Sequence, residues 1–340
     1  MLGLMRDLFV GLLLLGLLMA SPWLAEQVAR QNSESDLPET TIVSCEPYFD
    51  LTVSRKNGQF AAVGMHGQVT IGRMDDPAAE LELDLPGRHV MSLQFSPREF
   101  SLLLGCLDGT VLWQPLEPFE EPHPLAAFSS GVSAVSVSAD GRLAAMACSP
   151  FEDEPAHISI VEISSAVARV QSVSERLIVW LSFTGDGREL LCRDSFGSVL
   201  MIDAASGKLL RKVDLPGLGT GPAALSPSGR WLAVGGVQGQ VAMIDLRQRR
   251  VISQWPVSSM PISSLEFSLR GTMLACGTRD QLMLLNGRDH KMVAEQATGV
   301  NQLHFSGNGK KLITSGHDGT IRRWSLPNLI EEQRVASEPL

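Results

Sequence analysis

The residues able to do chemistry are scattered along this chain rather than grouped. Its histidines (His66, His89, His123, His157, His290, His304 and His317) never stand close enough to share one helical turn, as an HExxH zinc pair must. The cysteines (Cys45, Cys106, Cys148, Cys192 and Cys276) lack the paired CxxC spacing of a metal site. No Gly-x-Ser-x-Gly elbow presents a serine nucleophile, and no Gly-x-x-x-x-Gly-Lys loop cradles phosphate. Glu152-Asp153-Glu154 is a carboxylate cluster that a cation would notice, but such runs more commonly face water at a loop tip. The expectation is therefore no catalysis, no metal and no cofactor.

The elements that would position any site are clearer. A turn-forming segment recurs with a period of roughly 40 residues. It appears at Lys56-Asn57-Gly58, Pro97-Arg98-Glu99, Ala139-Asp140-Gly141, Gly185-Asp186-Gly187, Pro227-Ser228-Gly229, Leu269-Arg270-Gly271 and Gly307-Asn308-Gly309. Before each turn stands a short apolar stretch such as Val90–Phe95, and after it a small apolar run such as Leu143–Ala147. A second turn follows in most repeats, as at His66-Gly67, Asp108-Gly109, Phe196-Gly197, Gln238-Gly239 and Asp318-Gly319. Period-two alternation between such turns is a strand signature, so each repeat reads as four strands. A unit of this size cannot bury its own apolar faces. Seven of them predict an all-β, seven-bladed β-propeller of four-stranded blades over residues 47–338.

Ser315-Gly316-His317-Asp318-Gly319-Thr320-Ile321-Arg322-Arg323-Trp324 resembles the third-strand hallmark of WD-repeat propellers. Asp108-Gly109-Thr110-Val111-Leu112-Trp113 is a partial second copy, and Phe95-Ser96-Pro97 resembles the end of that family's first strand. The other repeats are degenerate: Ile202-Asp203 and Ile244-Asp245 replace the tryptophan position, and the Gly-His pair that opens a family repeat is missing. The resemblance implies a propeller that binds proteins and needs no catalytic residues for that role.

Net charge is −9, which disfavours a general nucleic-acid binder, since neutralising phosphates takes a basic surface. Cys106, Cys148, Cys192 and Cys276 fall in or just after second strands, among small residues, and read as buried small hydrophobes. Ahead of the repeats, Leu8 to Ala25 is an uncharged run that reaches the length of a spanning helix. Small residues at both flanks of a cleavage site are hard to find there, so an uncleaved N-terminal transmembrane anchor is favoured over a cleaved signal or a buried helix. Arg6 before the run, against Glu26, Glu34, Asp36 and Glu39 after it, places the propeller outside the cytoplasm on a single-pass anchor. Residues 1–7 are then a short tail and 26–46 a polar linker.

Candidate partner-binding residues follow from the repeat grammar. Loops between second and third strands should ring one face of the propeller, displaying His66, Leu107, Phe196, Arg279 and His317. Trp180 stands in a first strand where other repeats have Ser92, Ala134, Ser264 or Gln302, so it either reaches the channel or wedges between blades. Segments joining third to fourth strands are acidic early in the chain (Asp75, Asp76, Glu80, Glu82, Glu117, Glu120, Glu121). Later ones are basic (Lys208, Arg211, Lys212, Arg247, Arg249, Arg250, Arg288, Lys291). A charge-graded rim suits steering of a charged partner, and reversing Arg247, Arg249 and Arg250 should leave the fold intact.

The reading reached from sequence is a membrane-tethered, WD-repeat-like scaffold that binds protein partners. The alternatives are a lactonase-like or quinone-dependent dehydrogenase-like propeller, which needs inward Asp, Glu, Asn or His clusters, and an assembly factor for an envelope complex.

Overall fold

The computed structural model describes residues 41–42 and 48–336, except 55–57, 65, 74–75, 84, 99 and 151–154. The chain divides into two units, Met1–Pro38 and Glu39–Leu340, and the described residues all belong to the second. The expected anchor at Leu8–Ala25, most of the linker, Cys45, Asp75 and Glu152-Asp153-Glu154 lie outside the described residues. Among the described residues, no helix is long and apolar enough to cross a membrane.

Seven antiparallel sheets follow one another. Blade 1 is β2 (Asp50–Val53), β3 (Gln59–Val63), β4 (Val69–Arg73) and β5 (Asp76–Leu83). Blade 2 is β6 (Val90–Phe95), β7 (Ser101–Cys106), β8 (Thr110–Pro115) and β9 (His123–Ala127). Blade 3 is β10 (Val132–Val137), β11 (Leu143–Cys148), β12 (Ala156–Glu162) and β13 (Val167–Ser174). Blade 4 is β14 (Ile178–Phe183), β15 (Glu189–Asp194), β16 (Val199–Asp203) and β17 (Leu209–Val213). Blade 5 is β18 (Ala223–Leu225), β19 (Trp231–Gly235), β20 (Gln240–Asp245) and β21 (Arg250–Pro256). Blade 6 is β22 (Ile262–Phe267), β23 (Met273–Thr278), β24 (Leu282–Asn286) and β25 (Met292–Gln296). Blade 7 is β26 (Gln302–Phe305), β27 (Lys311–Ser315), β28 (Thr320–Ser325) and β29 (Ile330–Ala336).

The first strands are innermost, and β2 packs against both β6 and β26, which closes the ring. The expected seven four-stranded blades are present. The last gains a fifth strand, β1 (Thr41–Ile42), which runs parallel to β29 with Thr41 opposite Val335. The N-terminal segment therefore extends the edge that Glu332–Ala336 supplies, and β1 also touches β5 of blade 1.

Second strands are covered on both faces by neighbouring blades, so they are buried along their whole length instead of alternating. That is why they read as small apolar runs, with Cys106, Cys148, Cys192 and Cys276 all buried and free. Burial pushes the thiols of Cys192 and Cys276 far up from the usual range.

Every third-to-fourth-strand pair carries a register shift, at the same level in six blades, from Ile71/Arg73 in blade 1 to Arg323/Trp324 in blade 7, and two residues earlier in blade 2, at Val111/Leu112. A bulge there sharpens the local twist, which turns each outer strand away from its inner one. The turns that follow repeat a second device: Ala166, Arg249, His290 and Leu329 all adopt positive φ near 51–59°, and blade 4 uses Gly207.

Seven apolar clusters fill the seven joints between blades. The joint of blades 1 and 2 gathers thirteen buried residues, including Leu93, Phe95, Leu102 and Leu104. The joint of blades 7 and 1 is the thinnest among the described residues, with seven: Tyr48, Leu51, Val53, Phe60, Ala62, Ile313 and Ile321.

Candidate interaction face and channel wall

Loops between second and third strands share one face with the segments that enter each new blade. Backbone bonds tie them together: Leu107 N donates to His89 O, Ser195 N to Leu177 O, Val237 N to Leu218 O, and Val300 N to Thr278 O. The loops are built by short polar side chains that fold back on their own turns. Asp108 Oδ1 accepts from Thr110 N at 2.9 Å and from Thr110 Oγ1 at 2.6 Å. Asp318 does the same for Thr320 and also pairs with Arg322. Asp194, buried under its loop, accepts from Phe196 N and Ser198 N.

The face carries exposed apolar side chains on its loops from blade 4 to blade 6. Phe196 is 54% exposed, Val237 41% and Met260 40%. Glycines let the loops between them touch: a Cβ on Gly197 would fall 2.7 Å from Gly219 O, and one on Gly219 would fall 3.1 Å from the Val237 side chain. At the Phe196 end, the Arg176 guanidinium lies 4.3 Å above the ring while its Nη1 is 3.5 Å from Asp194 Oδ2.

Beneath these loops is Arg193 of β15, which is wholly buried. Its Nη1 donates to Pro222 O and Gly235 O, both at 2.8 Å, and its Nη2 donates to Gly219 O at 2.7 Å. One side chain thus ties the entry segment of blade 5, at Gly219 and Pro222, to the end of β19 at Gly235. Burial lowers the Arg193 pKa to about 10, against the neighbouring Asp194 carboxylate, which raises it. In the sequence its signal is an arginine inside an otherwise apolar second strand, Leu190-Leu191-Cys192-Arg193, with nothing local to show what it bonds.

The candidate residues divide between two faces. His66 lines a cavity of about 500 Å³ with Gln68, Glu82, Leu83, Leu85 and Arg88. Arg279 and His317 come together across blades 6 and 7: the side chain of His317 is near the Gly299 position that also meets Arg279 O. Burial and the Arg279 charge hold the His317 pKa below the ordinary histidine value. Trp180 packs against the core between blades 4 and 5, so its wedge role is the one realised.

Arg247, Arg249 and Arg250 lie at the third-to-fourth-strand turn of blade 5, on the opposite face, where Leu246 N bonds Arg230 O of the first turn. Arg249 departs from the expectation of a free rim: its Nη2 is 3.1 Å from Glu189 Oε1 of blade 4. Lys212 and Lys291 are likewise paired, with Asp214 and Asp289. The basic rim is therefore partly neutralised where it stands.

The channel wall has its own order. Inner strands present an edge of backbone N–H groups, and side chains of one blade accept from the next. Asp50 Oδ2 accepts from Leu93 N, Thr52 Oγ1 from Phe95 N, and Gln94 Oε1 from Val137 N. Ser264 Oγ accepts from Leu303 N, and Glu266 Oε2 accepts from Phe305 N at 2.6 Å. At the step from blade 5 to blade 6 the corresponding residues are Pro222 and Ala224, which have no side-chain acceptor. Of the inner-strand carboxylates, Asp50 is held by the backbone donors Leu51 N and Leu93 N, and Glu266 by Phe305 N and by the His304 ring at 3.5 Å. Among the described residues, no group of three or more His, Cys, Asp or Glu could hold a metal ion.

In blade 7, buried Trp324 Nε1 donates to Thr314 Oγ1 at 2.9 Å. Residues 290–325, which span the last strand of blade 6 and the first three of blade 7, match the family model "WD domain, G-beta repeat". These observations support a WD-repeat propeller. Three curated proteins are similar over parts of the chain. WD repeat-containing protein VIP3 of Arabidopsis thaliana is 28% identical over 183 residues, 49% of this chain and 55% of that protein. Echinoderm microtubule-associated protein-like 4 of Homo sapiens is 29% identical over 127 residues, 35% of this chain and 12% of that protein. Periodic tryptophan protein 2 of Saccharomyces cerevisiae is 27% identical over 105 residues, 29% of this chain and 11% of that protein. The chain thus spans about half the length of one WD-repeat relative and about a tenth of the other two.

Proposed function

We propose that this WD-repeat-type propeller is a scaffold that docks protein partners on the face bearing Phe196, Val237 and Met260. These side chains carry the reading: three large apolar groups stand exposed on loops that glycine contacts and Arg193 hold rigid from below. A rigid apolar patch flanked by an arginine is what a protein interface core requires, and exposed patches of this kind mark interaction sites. The similarity to VIP3 and the two other WD-repeat relatives is consistent with an interaction role. The test places a photocrosslinking residue at Phe196 or, on the opposite face, at Arg250. The same partner should crosslink from Phe196 and not from Arg250, and should be lost in a Val237→Asp, Met260→Asp variant. Crosslinks from Arg250 alone would overturn the assignment of the face.

The scaffold is further proposed to be tethered by the uncharged run Leu8–Ala25, with the propeller outside the cytoplasm. Alkaline carbonate extraction and N-terminal sequencing decide this; a soluble mature chain beginning after Ala20 would refute it.

A further inference from the structure

The first turns of the blades lie on the face opposite Phe196, beside the third-to-fourth-strand turns. In blades 3 and 4 they read Asp140-Gly141-Arg142 and Asp186-Gly187-Arg188, so each arginine has a carboxylate two residues before it. In blades 5 and 7 the carboxylate is gone and the cation stays, as Ser228-Gly229-Arg230 and Asn308-Gly309-Lys310. In blade 6 the acid's own position is Arg270. The turn itself does not need the charge. Asn308 Oδ1 accepts from Lys310 N at 2.9 Å, as Asp140 Oδ1 accepts from Arg142 N at 3.1 Å.

These turns form one continuous surface. A Cβ on Gly271 would fall 3.7 Å from Pro227, and one on Gly309 would fall 3.5 Å from Leu269, so the first turns of blades 5, 6 and 7 touch in succession. Backbone bonds join each outer turn to its inner one: Leu246 N donates to Arg230 O, Gly287 N to Thr272 O, and Leu326 N to Lys310 O. Arg247, Arg250, Arg270, Arg288 and Lys310 stand exposed there and form no ion pair among the described residues. Nearby carboxylates are already engaged, Asp245 with Arg230, Asp289 with Lys291 and Glu189 with Arg249. The patch stops at blade 7, where β29 opens Ile330-Glu331-Glu332. A concentration of unpaired cations in a chain of net charge −9 calls for a partner of opposite sign.

We propose that this basic face of blades 5 to 7 docks an acidic polypeptide segment, whose carboxylates are spaced along the successive turns. It lies opposite the face that bears Phe196 and holds whether or not that face docks a partner. Four of the five cations are arginines, whose planar forks match carboxylates and which are enriched at protein interfaces where lysine is depleted. Phosphates are met less well, because the backbone N–H groups that usually help to hold them are taken. Asp245 Oδ1 occupies those of Arg247 and Gln248, Asn286 Oδ1 that of Arg288, and Asn308 Oδ1 that of Lys310.

The test follows the fluorescence anisotropy of a labelled oligoglutamate peptide added to the full chain, against a labelled oligothymidylate of the same net charge. Arg270→Glu combined with Arg288→Glu should weaken peptide binding at least about tenfold and reduce its salt dependence. Both side chains are exposed, so thermal unfolding of this variant should stay close to native. Arg142→Glu with Arg188→Glu makes the same change in net charge on blades 3 and 4. It should alter binding little, because physiological salt screens charge beyond about 8 Å. An oligoglutamate that does not bind, equal losses from the two pairs of reversals, or tighter binding of oligothymidylate overturns the proposal.

Discussion

Arg249 and Glu189 form an ion pair that joins the outer turn of blade 5 to the second strand of blade 4 at 3.1 Å. Both side chains are partly exposed, so water screens the pair and its own worth is on the order of 0.5 kcal/mol. Arg249→Glu replaces attraction by repulsion and should cost about 1 kcal/mol, whereas Arg247→Glu and Arg250→Glu should each stay within about 0.5 kcal/mol. Denaturant titration of the three variants, with Glu189→Arg added to Arg249→Glu as the rescue, checks this. Equal effects at all three positions would show that Arg249 holds nothing.

Arg193→Met should be among the most damaging single changes. It strips the Nη donors from Gly219 O, Pro222 O and Gly235 O together; Pro222 O keeps its bond from Gly235 N, and each buried acceptor that is left unpaired costs about 1–3 kcal/mol. A loss of about 3 kcal/mol or more in urea unfolding is expected, with Arg193→Lys intermediate at best because an ammonium cannot reach in a fork. Loss of partner crosslinking at Phe196 should accompany even partial destabilisation of the Gly217–Pro222 segment.

The thiols of the second strands should be inert in the native state. In a Cys45→Ser background, an alkylating reagent near pH 8 should leave Cys106, Cys148, Cys192 and Cys276 unmodified until denaturant is added. Burial suppresses access and raises the Cys106, Cys192 and Cys276 pKa values, so thiolate is scarce. Labelling by mass spectrometry that reports any of the four at native conditions would contradict the packing.

Acid should weaken the first turns. The Ser138 hydroxyl lowers the Asp140 pKa, and the Thr184 hydroxyl lowers that of Asp186. A carboxylate depressed in the folded state contributes stability present above its unfolded value, near 3.8, and lost as pH falls through the folded one. Asp140→Asn and Asp186→Asn should therefore lower thermal stability at pH 7 and make little difference once the pH is well below the folded value, so that the acid limb of the variants is flatter than the native one; equal losses at pH 7 and in acid would contradict the assignment.

The blades were legible because their signals are local and repeated. Turn residues such as Ala139-Asp140-Gly141 and alternating stretches such as Gln240–Asp245 each specify a strand pair without help from elsewhere. The loop positions of Phe196 and His317 are legible for the same reason, as products of the repeat. What escaped detection depends on register between blades. Arg193 looks like a misplaced charge until the Gly217–Pro222 segment is folded over it. His304 looks like one of several dispersed histidines until Glu266, 38 residues earlier, arrives beside it. Arg249 looked like rim charge because its partner lies 60 residues away.

The parallel pairing of β1 with β29 sets how the ring would respond to mechanical load. Thr41 and Val335 advance in the same direction, so drawing the chain backward from β1 and forward from β29 acts along the ladder. The bonds of that ladder are then strained together in shear instead of being peeled one by one. Tension applied at both ends of the described chain meets its first resistance at this edge.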